Sequence, residues 1–263
     1  MAIRVVVSGS GKMGQQVMQA VRAADDMAIA GVLEKFSSGD QYVLPEGGAV
    51  PLRQDLADVG DFGADVLVDF SNAAWSEQVV PAAIAAGVRP VVGTSGLSPS
   101  FVAQCAEQCS LAHLGGVVAS NFALGAVMMM HLSRVAAPYF DAVEVIEQHH
   151  DGKVDAPSGT AMTTAREMRA ARDSDFERNV AERETLPNAR GSELGGVTLH
   201  SVRLPGLVAH QTVLFGGLGE TLTIRHDSTS RESFMPGVLR AVRSVMGQDG
   251  LVEGLDRLLG LRE

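Results

Sequence analysis

The sequence predicts an α/β protein in two parts: a doubly wound parallel sheet domain, then a second α+β domain with a mixed, largely antiparallel sheet. Three observations predict it. Short β-branched runs alternate with helical spacings through residues 1–122. A glycine-rich turn follows the first run at once. After Asn121 the pattern changes to strand-rich sequence with short glycine-containing connections.

Ile3 to Val7 reads as a buried parallel strand, because an unbroken β-branched run suits a sheet covered on both faces. Residues 11 to 23 take helical spacing through Met13, Val17 and Val21. Ala28 to Leu33, Val66 to Phe70, Val88 to Val92 and Gly116 to Ala119 read as further strands, with helices at 73 to 86 and 99 to 111. Strands separated by helices need crossovers, hence a parallel sheet. A helix is expected from Leu124 to Ala137, and Ala142 to His149 then alternates, with Val143, Val145, Glu147 and His149 on one face. Another helix starts near Ser158, and residues 172 to 192 read as a charged, turn-rich surface excursion. Val197 to Leu204, Val208 to Phe215 and Thr221 to His226 read as strands whose short connections favour antiparallel pairing. Helical patterns at 231 to 246 and 251 to 260 close the chain. The domain boundary is expected near residue 122, with residues 123–230 forming the second domain and about 231–263 packing back on the first.

Composition narrows the function. Of 263 residues, 31 are acidic and 21 basic, a net charge of −10, and 46% are hydrophobic, which fits a folded soluble chain. The acidic balance argues against nucleic acid as a partner, since that binding rests on clustered Lys and Arg. Phe122 to Met130, the longest apolar stretch, is too short to span a membrane. Arg4 and Val5 to Val7 run directly into Ser8-Gly9, which is not a secretory signal, so a cytoplasmic location is expected. Cys105 and Cys109 are the only cysteines; they share a helix face and supply neither a disulfide framework nor a zinc site. No metal is expected, because no ligand spacing is recognisable.

Gly9-Ser10-Gly11-Lys12-Met13-Gly14 matches G-x-G-x-x-G. It follows a strand and opens a helix, and Glu34 ends the next strand about 20 residues on, the arrangement of a Rossmann-like dinucleotide fold. The glycines let backbone approach a pyrophosphate at a helix N-terminus. A phosphate-loop NTPase is excluded, because Met13 follows Lys12 where Ser or Thr is needed. Glu34 can accept from a ribose diol and Lys35 can attract a 2′-phosphate, so NADH and NADPH are both expected cofactors. Gly93-Thr94-Ser95-Gly96 and Ala119-Ser120-Asn121-Phe122 follow later strands, at the edge where open α/β sheets bind ligands; each reads equally as a simple turn.

The most informative segment is Glu147-Gln148-His149-His150-Asp151-Gly152-Lys153-Val154-Asp155-Ala156-Pro157-Ser158-Gly159-Thr160. It supplies an imidazole, an ammonium and, at Ser158 to Thr160, a helix N-terminus that can hold an anion. Histidine suits proton transfer near neutrality. A surface turn before a capped helix is the plain alternative.

This segment resembles the signature E-x-H-H-x-x-K-x-D-A-P-S-G-T of the 4-hydroxy-tetrahydrodipicolinate (dihydrodipicolinate) reductase family, and residues 147 to 160 fit it throughout. His200-Ser201-Val202-Arg203-Leu204-Pro205-Gly206, Gly216-Gly217, Gly219-Glu220 and His226-Asp227-Ser228 resemble further family stretches, as do the two loops above. The resemblance runs from about residue 3 to 246. It implies hydride transfer from NADH or NADPH to 4-hydroxy-tetrahydrodipicolinate, or its dehydrated form, in lysine and diaminopimelate synthesis. It implies a dinucleotide-binding domain over residues 1–122, a substrate-binding and oligomerisation domain over 123–230, a dicarboxylate substrate and a homotetramer. Position by position, it implies that His149 is the proton donor and acceptor and Lys153 the second proton donor. It implies that His150, Ser158, Gly159 and Thr160 bind substrate. Cofactor contacts are implied for Ser8, Gly9, Ser10, Gly11, Lys12, Met13, Glu34, Lys35, Gly93, Thr94, Ser95, Ala119, Ser120, Asn121 and Phe122. Ser8 departs from the family's usual first loop glycine, and Lys12 and Lys35 stand where Arg is frequent. Another two-domain dehydrogenase of amino or hydroxy dicarboxylic acids, or a non-catalytic nucleotide sensor, are the competing readings.

Overall fold

A computed structural model describes residues 1–45, 47–178 and 180–262. The chain divides into two compact units, Met1–Phe122 with Phe234–Glu263, and Ala123–Ser233.

In the first unit the chain runs β1 (Ile3–Ser8), α1 (Lys12–Ala23), β2 (Met27–Leu33), β3 (Gln41–Val43), β4 (Ala49–Arg53), β5 (Val66–Asp69), α2 (Ala73–Ala85), β6 (Arg89–Val92), α3 (Pro99–Leu111) and β7 (Gly115–Val118). The second unit holds α4 (Leu124–Ala136), β8 (Ala142–His149), α5 (Gly159–Ala170), β9 (Ser192–Leu194), β10 (Val197–Arg203), β11 (Ala209–Gly217) and β12 (Glu220–Ser228). The chain returns to the first unit with α6 (Met235–Val245), β13 (Gly250–Glu253) and α7 (Leu255–Leu258).

The eight-stranded sheet of the first unit has the order β13-β7-β6-β5-β1-β2-β4-β3. Every pairing is parallel except that of β3 with β4. Consecutive residues Val5, Val6 and Val7 are all buried, so both faces of the sheet are covered. Helix α1 packs with α6, and α2 with α3. The strand order reverses at β1, with β2 on one side and β5 on the other. That is the topological switch where such sheets bind ligands. Cys105 and Cys109 lie fully buried on one face of α3, and burial pushes both thiols up to about 11, leaving them unreactive.

The five-stranded sheet of the second unit has the order β12-β11-β8-β10-β9. Its alternation places Val143, Val145 and Glu147 of β8 inward, against Val213 and Phe215 of β11, Val197 and Leu199 of β10, and Ala161, Ala165 and Met168 of α5.

Two expectations need correction. Strands β10 and β11 do not pair; they flank β8, with β10 parallel and β11 antiparallel to it. Their short connection passes the end of β8, where Leu204 N–H donates to the His149 carbonyl. Residues 251–253, read as helical, belong to β13 beside β7. Leu251, Leu255, Leu258 and Leu259 imitate a helical period, but an open parallel edge fixes the strand, and only the last turn is helical. Strands β3 and β4 were not expected, being only three and five residues long, with Pro51 inside β4. The excursion over residues 172–192 is exposed but anchored at its start: Phe176 is buried, with the Arg172 guanidinium 4.2 Å above its ring. Asn179 lies outside the described residues.

Candidate active site

The glycine turn leaves β1 and opens α1. Gly9 has φ +87°, a conformation that favours glycine. A Cβ at Gly14 would sit 2.0 Å from the Gly9 carbonyl oxygen, so only hydrogen allows the helix to pack this closely on the turn. Gly11, the N-cap of α1, carries no capping side chain, and open space lies where its Cβ would be. The first-turn N–H groups of α1 therefore lack a side-chain cap, and Lys12 and Met13 lie in that turn. Glu34 follows β2 directly and its Oε2 accepts from the Ser10 N–H at 2.8 Å and the Ser10 hydroxyl at 3.0 Å. A groove of about 380 Å³ is lined by Gly9, Gly11, Glu34, Lys35, Ser71 and Trp75 among others. Lys35 Nζ lies 5.7 Å from the Trp75 ring centroid. Ser8 is buried beneath the turn, where its hydroxyl accepts from Trp75 Nε1 at 2.9 Å. An uncapped helix start, a glycine cradle and a carboxylate one strand away fit a dinucleotide.

The loops after β5 and β6 are joined through Asp69, which is fully buried. Its carboxylate accepts from the hydroxyls of Ser71 at 2.6 Å, Thr94 at 2.9 Å and Ser76. The Ser71 N–H also donates to Thr94 Oγ1 at 3.0 Å. Gly93 has no room for a side chain, because a Cβ would fall 2.0 Å from the Phe70 ring. Ser95 and Ser120 are exposed and Asn121 is half-buried. Ala119 and Phe122 are buried, with Phe122 edge-on to Phe70 at 5.4 Å, so their side chains carry the loops from beneath.

In the second unit the signature wraps one buried carboxylate. Glu147 is fully buried on the inward face of β8. Its Oε2 accepts from His149 Nδ1 at 2.5 Å and from Arg203 Nη1 at 2.8 Å. Its Oε1 accepts from Arg203 Nη2 at 2.8 Å and from the Ser158 N–H at 3.2 Å. Burial opposes charge on this carboxyl, but the hydrogen bonds from His149, Arg203 and Ser201 outweigh it and lower its pKa to about 2. Arg203 reaches across from β10 and also donates to the Asp155 carbonyl at 2.6 Å. Ser158 caps α5, accepting from the Ala161 N–H at 3.2 Å, and Gly159 opens the helix with free space beside it. The Thr160 carbonyl accepts from the Thr164 hydroxyl at 2.8 Å, and that hydroxyl accepts from Gln211 Nε2 at 2.8 Å. Lys153 donates to Asp155 Oδ1 at 2.6 Å, which lowers the Asp155 carboxyl. His150 is exposed in the turn, its carbonyl accepting from the Lys153 N–H.

The structure thus gathers His149, Arg203 and the Ser158 N–H around Glu147, with Lys153 paired to Asp155 in the linking segment, and Gly9, Gly11, Glu34 and Lys35 around one groove. Sequence reasoning gave no role to Glu147, Arg203, Gln211 or Asp69. Glu147 did carry a signal: an acidic residue on a face otherwise made of Val143 and Val145 must find partners when buried. Arg203 lies in a stretch that resembles the family, but nothing along the chain pairs it with Glu147, 56 positions away.

These features define the class: an NAD(P)H-dependent oxidoreductase. Family models described as dihydrodipicolinate reductase, N-terminus, and dihydrodipicolinate reductase, C-terminus, match residues 3–122 and 125–259. The chain belongs to the dihydrodipicolinate reductase family. It is 44% identical over 262 residues to the 4-hydroxy-tetrahydrodipicolinate reductase of Dehalococcoides mccartyi, covering 98% of this chain and 99% of that one. It is 45% identical over 260 residues to that of Streptococcus pneumoniae, covering 98% and 100%. Among solved structures, a dipicolinate-bound dihydrodipicolinate reductase from Paenisporosarcina sp. TG-14 superposes with a TM-score of 0.88 at 41% identity, over 98% of this chain and 99% of that chain.

Proposed function

We propose that this chain reduces 4-hydroxy-tetrahydrodipicolinate, with loss of its hydroxyl as water, or the already dehydrated form, to tetrahydrodipicolinate with NADH or NADPH, in lysine and diaminopimelate synthesis. The observation that carries the reading is the complete signature over residues 147 to 160, gathered around Glu147 in a chain that family models match across both units. The nicotinamide supplies a hydride when bound. In the first unit Gly9, Ser10, Gly11, Lys12 and Met13 bind its pyrophosphate, and Glu34 and Lys35 meet the adenine ribose. Gly93, Thr94, Ser95, Ser120 and Asn121 line the remainder, with Ser8, Ala119 and Phe122 holding their loops.

The second unit binds the dicarboxylate. Its carboxylates are met by Lys153, by His150, and by Ser158, Gly159 and Thr160 at the start of α5, where ammonium and helix dipole both favour anions. Asp155 already pairs with the Lys153 ammonium, so a substrate carboxylate competes for a cation held in position. Hydride addition would build negative charge on the ring, and the imidazole of His149 or the ammonium of Lys153 supplies the single proton that quenches it. Helix α4 and the turn after it carry Met128, Leu132, Val135 and Tyr139, spaced along one exposed face. That apolar stripe supports association of copies through the second unit, and the number four rests on the family resemblance. No helix among the described residues is long and apolar enough to cross a membrane, and the reading carries a cytoplasmic location with it.

The test is a coupled assay. The preceding synthase generates the substrate from pyruvate and aspartate semialdehyde, and oxidation of NADPH or NADH is followed by absorbance. Oxidation with both cofactors is expected. Lys153→Ala should lose on the order of 10²–10⁴-fold in kcat and raise KM for the substrate. Cofactor binding without oxidation by the parent protein would favour another dehydrogenase or a sensor.

A further inference from the structure

We propose that Glu147 and Arg203 are positioning residues of this reaction: the buried ion pair fixes which nitrogen of His149 faces the substrate and ties that ring to the helix start that holds the substrate carboxylates. The inference rests on the proposed role of His149 and deepens it.

A carboxylate only accepts, so the 2.5 Å contact requires His149 Nδ1 to carry the proton. The neutral imidazole is then the Nδ1–H form, and Nε2 is the atom left to exchange a proton. As imidazolium the ring gives up its Nε2 proton to the substrate and returns to the same neutral form, so Nδ1–H···Glu147 persists through the cycle. A solvent-exposed histidine has no such constraint.

Geometry adds a second constraint. The two Glu147 oxygens hold different partners, Oε2 facing His149 and Oε1 facing the Ser158 N–H at the start of α5. Arg203 holds both oxygens in a bidentate fork, which leaves the carboxylate one orientation. The same guanidinium donates to the Asp155 carbonyl, within the segment that links Lys153 to Ser158. The proton donor, the ammonium-bearing loop and the anion cradle are therefore referenced to one buried pair. Such support of a reacting imidazole by a buried carboxylate affects rate far more than ground-state binding.

The test uses the full-length protein labelled with ¹⁵N in its histidine rings. The His149 resonances are assigned by their loss in His149→Gln. At a pH where the ring is neutral, the expected spectrum has the proton on Nδ1, with and without dipicolinate as a dicarboxylate probe. A neutral His149 protonated on Nε2 in the parent protein overturns the proposal, whether or not any variant folds. In Glu147→Gln the tautomer preference should be lost and kcat should fall by about 10²-fold or more. The NADPH dissociation constant should stay within about twofold, since the cofactor groove belongs to the other unit. A folded Glu147→Gln protein with unchanged tautomer and kcat also overturns it. Failure of the underlying reading is separate: there the parent protein would bind NADPH and turn over nothing.

Discussion

Asp69 and Glu147 are fully buried carboxylates, one in each unit, and their partners differ in kind. Asp69 accepts from three hydroxyls, those of Ser71, Ser76 and Thr94. Glu147 accepts from a guanidinium fork, an imidazole and a backbone N–H. Hydroxyls are neutral and can rotate, so the Asp69 cluster pins two loops to each other through neutral donors. Charged partners in a dry site do more: they keep Glu147 ionised, and they make each partner's removal leave an uncompensated charge. Under the proposed function the first arrangement shapes loops of the cofactor groove, and the second holds a proton on a chosen atom.

The largest test of this contrast is Arg203→Met. It removes the fork and strands a buried carboxylate, which should destabilise the second unit by about 3–5 kcal/mol in urea unfolding. A loss below about 1 kcal/mol would mean that Glu147 is satisfied without its ion pair.

The next test is acid stability. The Glu147 carboxyl is lowered from 4.5 to about 2 in the folded protein. Because the folded value is the lower one, its stabilisation is full above about pH 4.5 and is lost as pH falls toward 2. Unfolding free energies measured across that window should fall less steeply with acid in Glu147→Gln than in the parent. Equal slopes would remove the ionic account.

Asp69→Ala should have a smaller effect, about 1–3 kcal/mol, as hydroxyls lose an acceptor. Its signature is functional: NADPH affinity should drop about tenfold, equivalent to about 1.4 kcal/mol, by fluorescence titration, with dipicolinate affinity unchanged. Loss of dipicolinate affinity instead would contradict the division of labour between the units. The smallest effect belongs to the exposed rim of the groove. Lys35→Ala should raise KM for NADPH a few-fold and leave NADH nearly untouched, since an exposed charge is worth about 1 kcal/mol or less. An equal change for both cofactors would mean that Lys35 acts through Trp75 rather than through a 2′-phosphate.

Much of this protein is local in origin, and that part could be read from sequence. The strand–glycine turn–helix at residues 3–23 is specified within its own span: β-branched residues that need covering, glycines that admit a close approach, and an apolar stripe at Val17, Met18 and Val21. The signature over residues 147 to 160 is local in the same way, carrying its strand, turn, cap and helix start in order. Strand β13 was misread because four leucines at near-helical spacing say nothing about an open edge of β7 more than a hundred positions earlier. The parallel pairing of β10 with β8 was missed because short connections favour hairpins, and here the connection passes the end of β8 instead.

The sequence alone determined which chemical groups are available, and their short-range order: imidazole, ammonium, helix start, glycine turn. Tertiary structure decided their partners. Glu147 sits two residues before His149, yet its meaning depends on Arg203, brought from 56 positions away by a strand pairing. Hydrogen bonds and ion pairs act over a few ångströms, so a pattern along the chain reports them only when both partners are neighbours in sequence. Where they are not, packing of the sheet determines which charge is satisfied, and with it which nitrogen of His149 carries the proton.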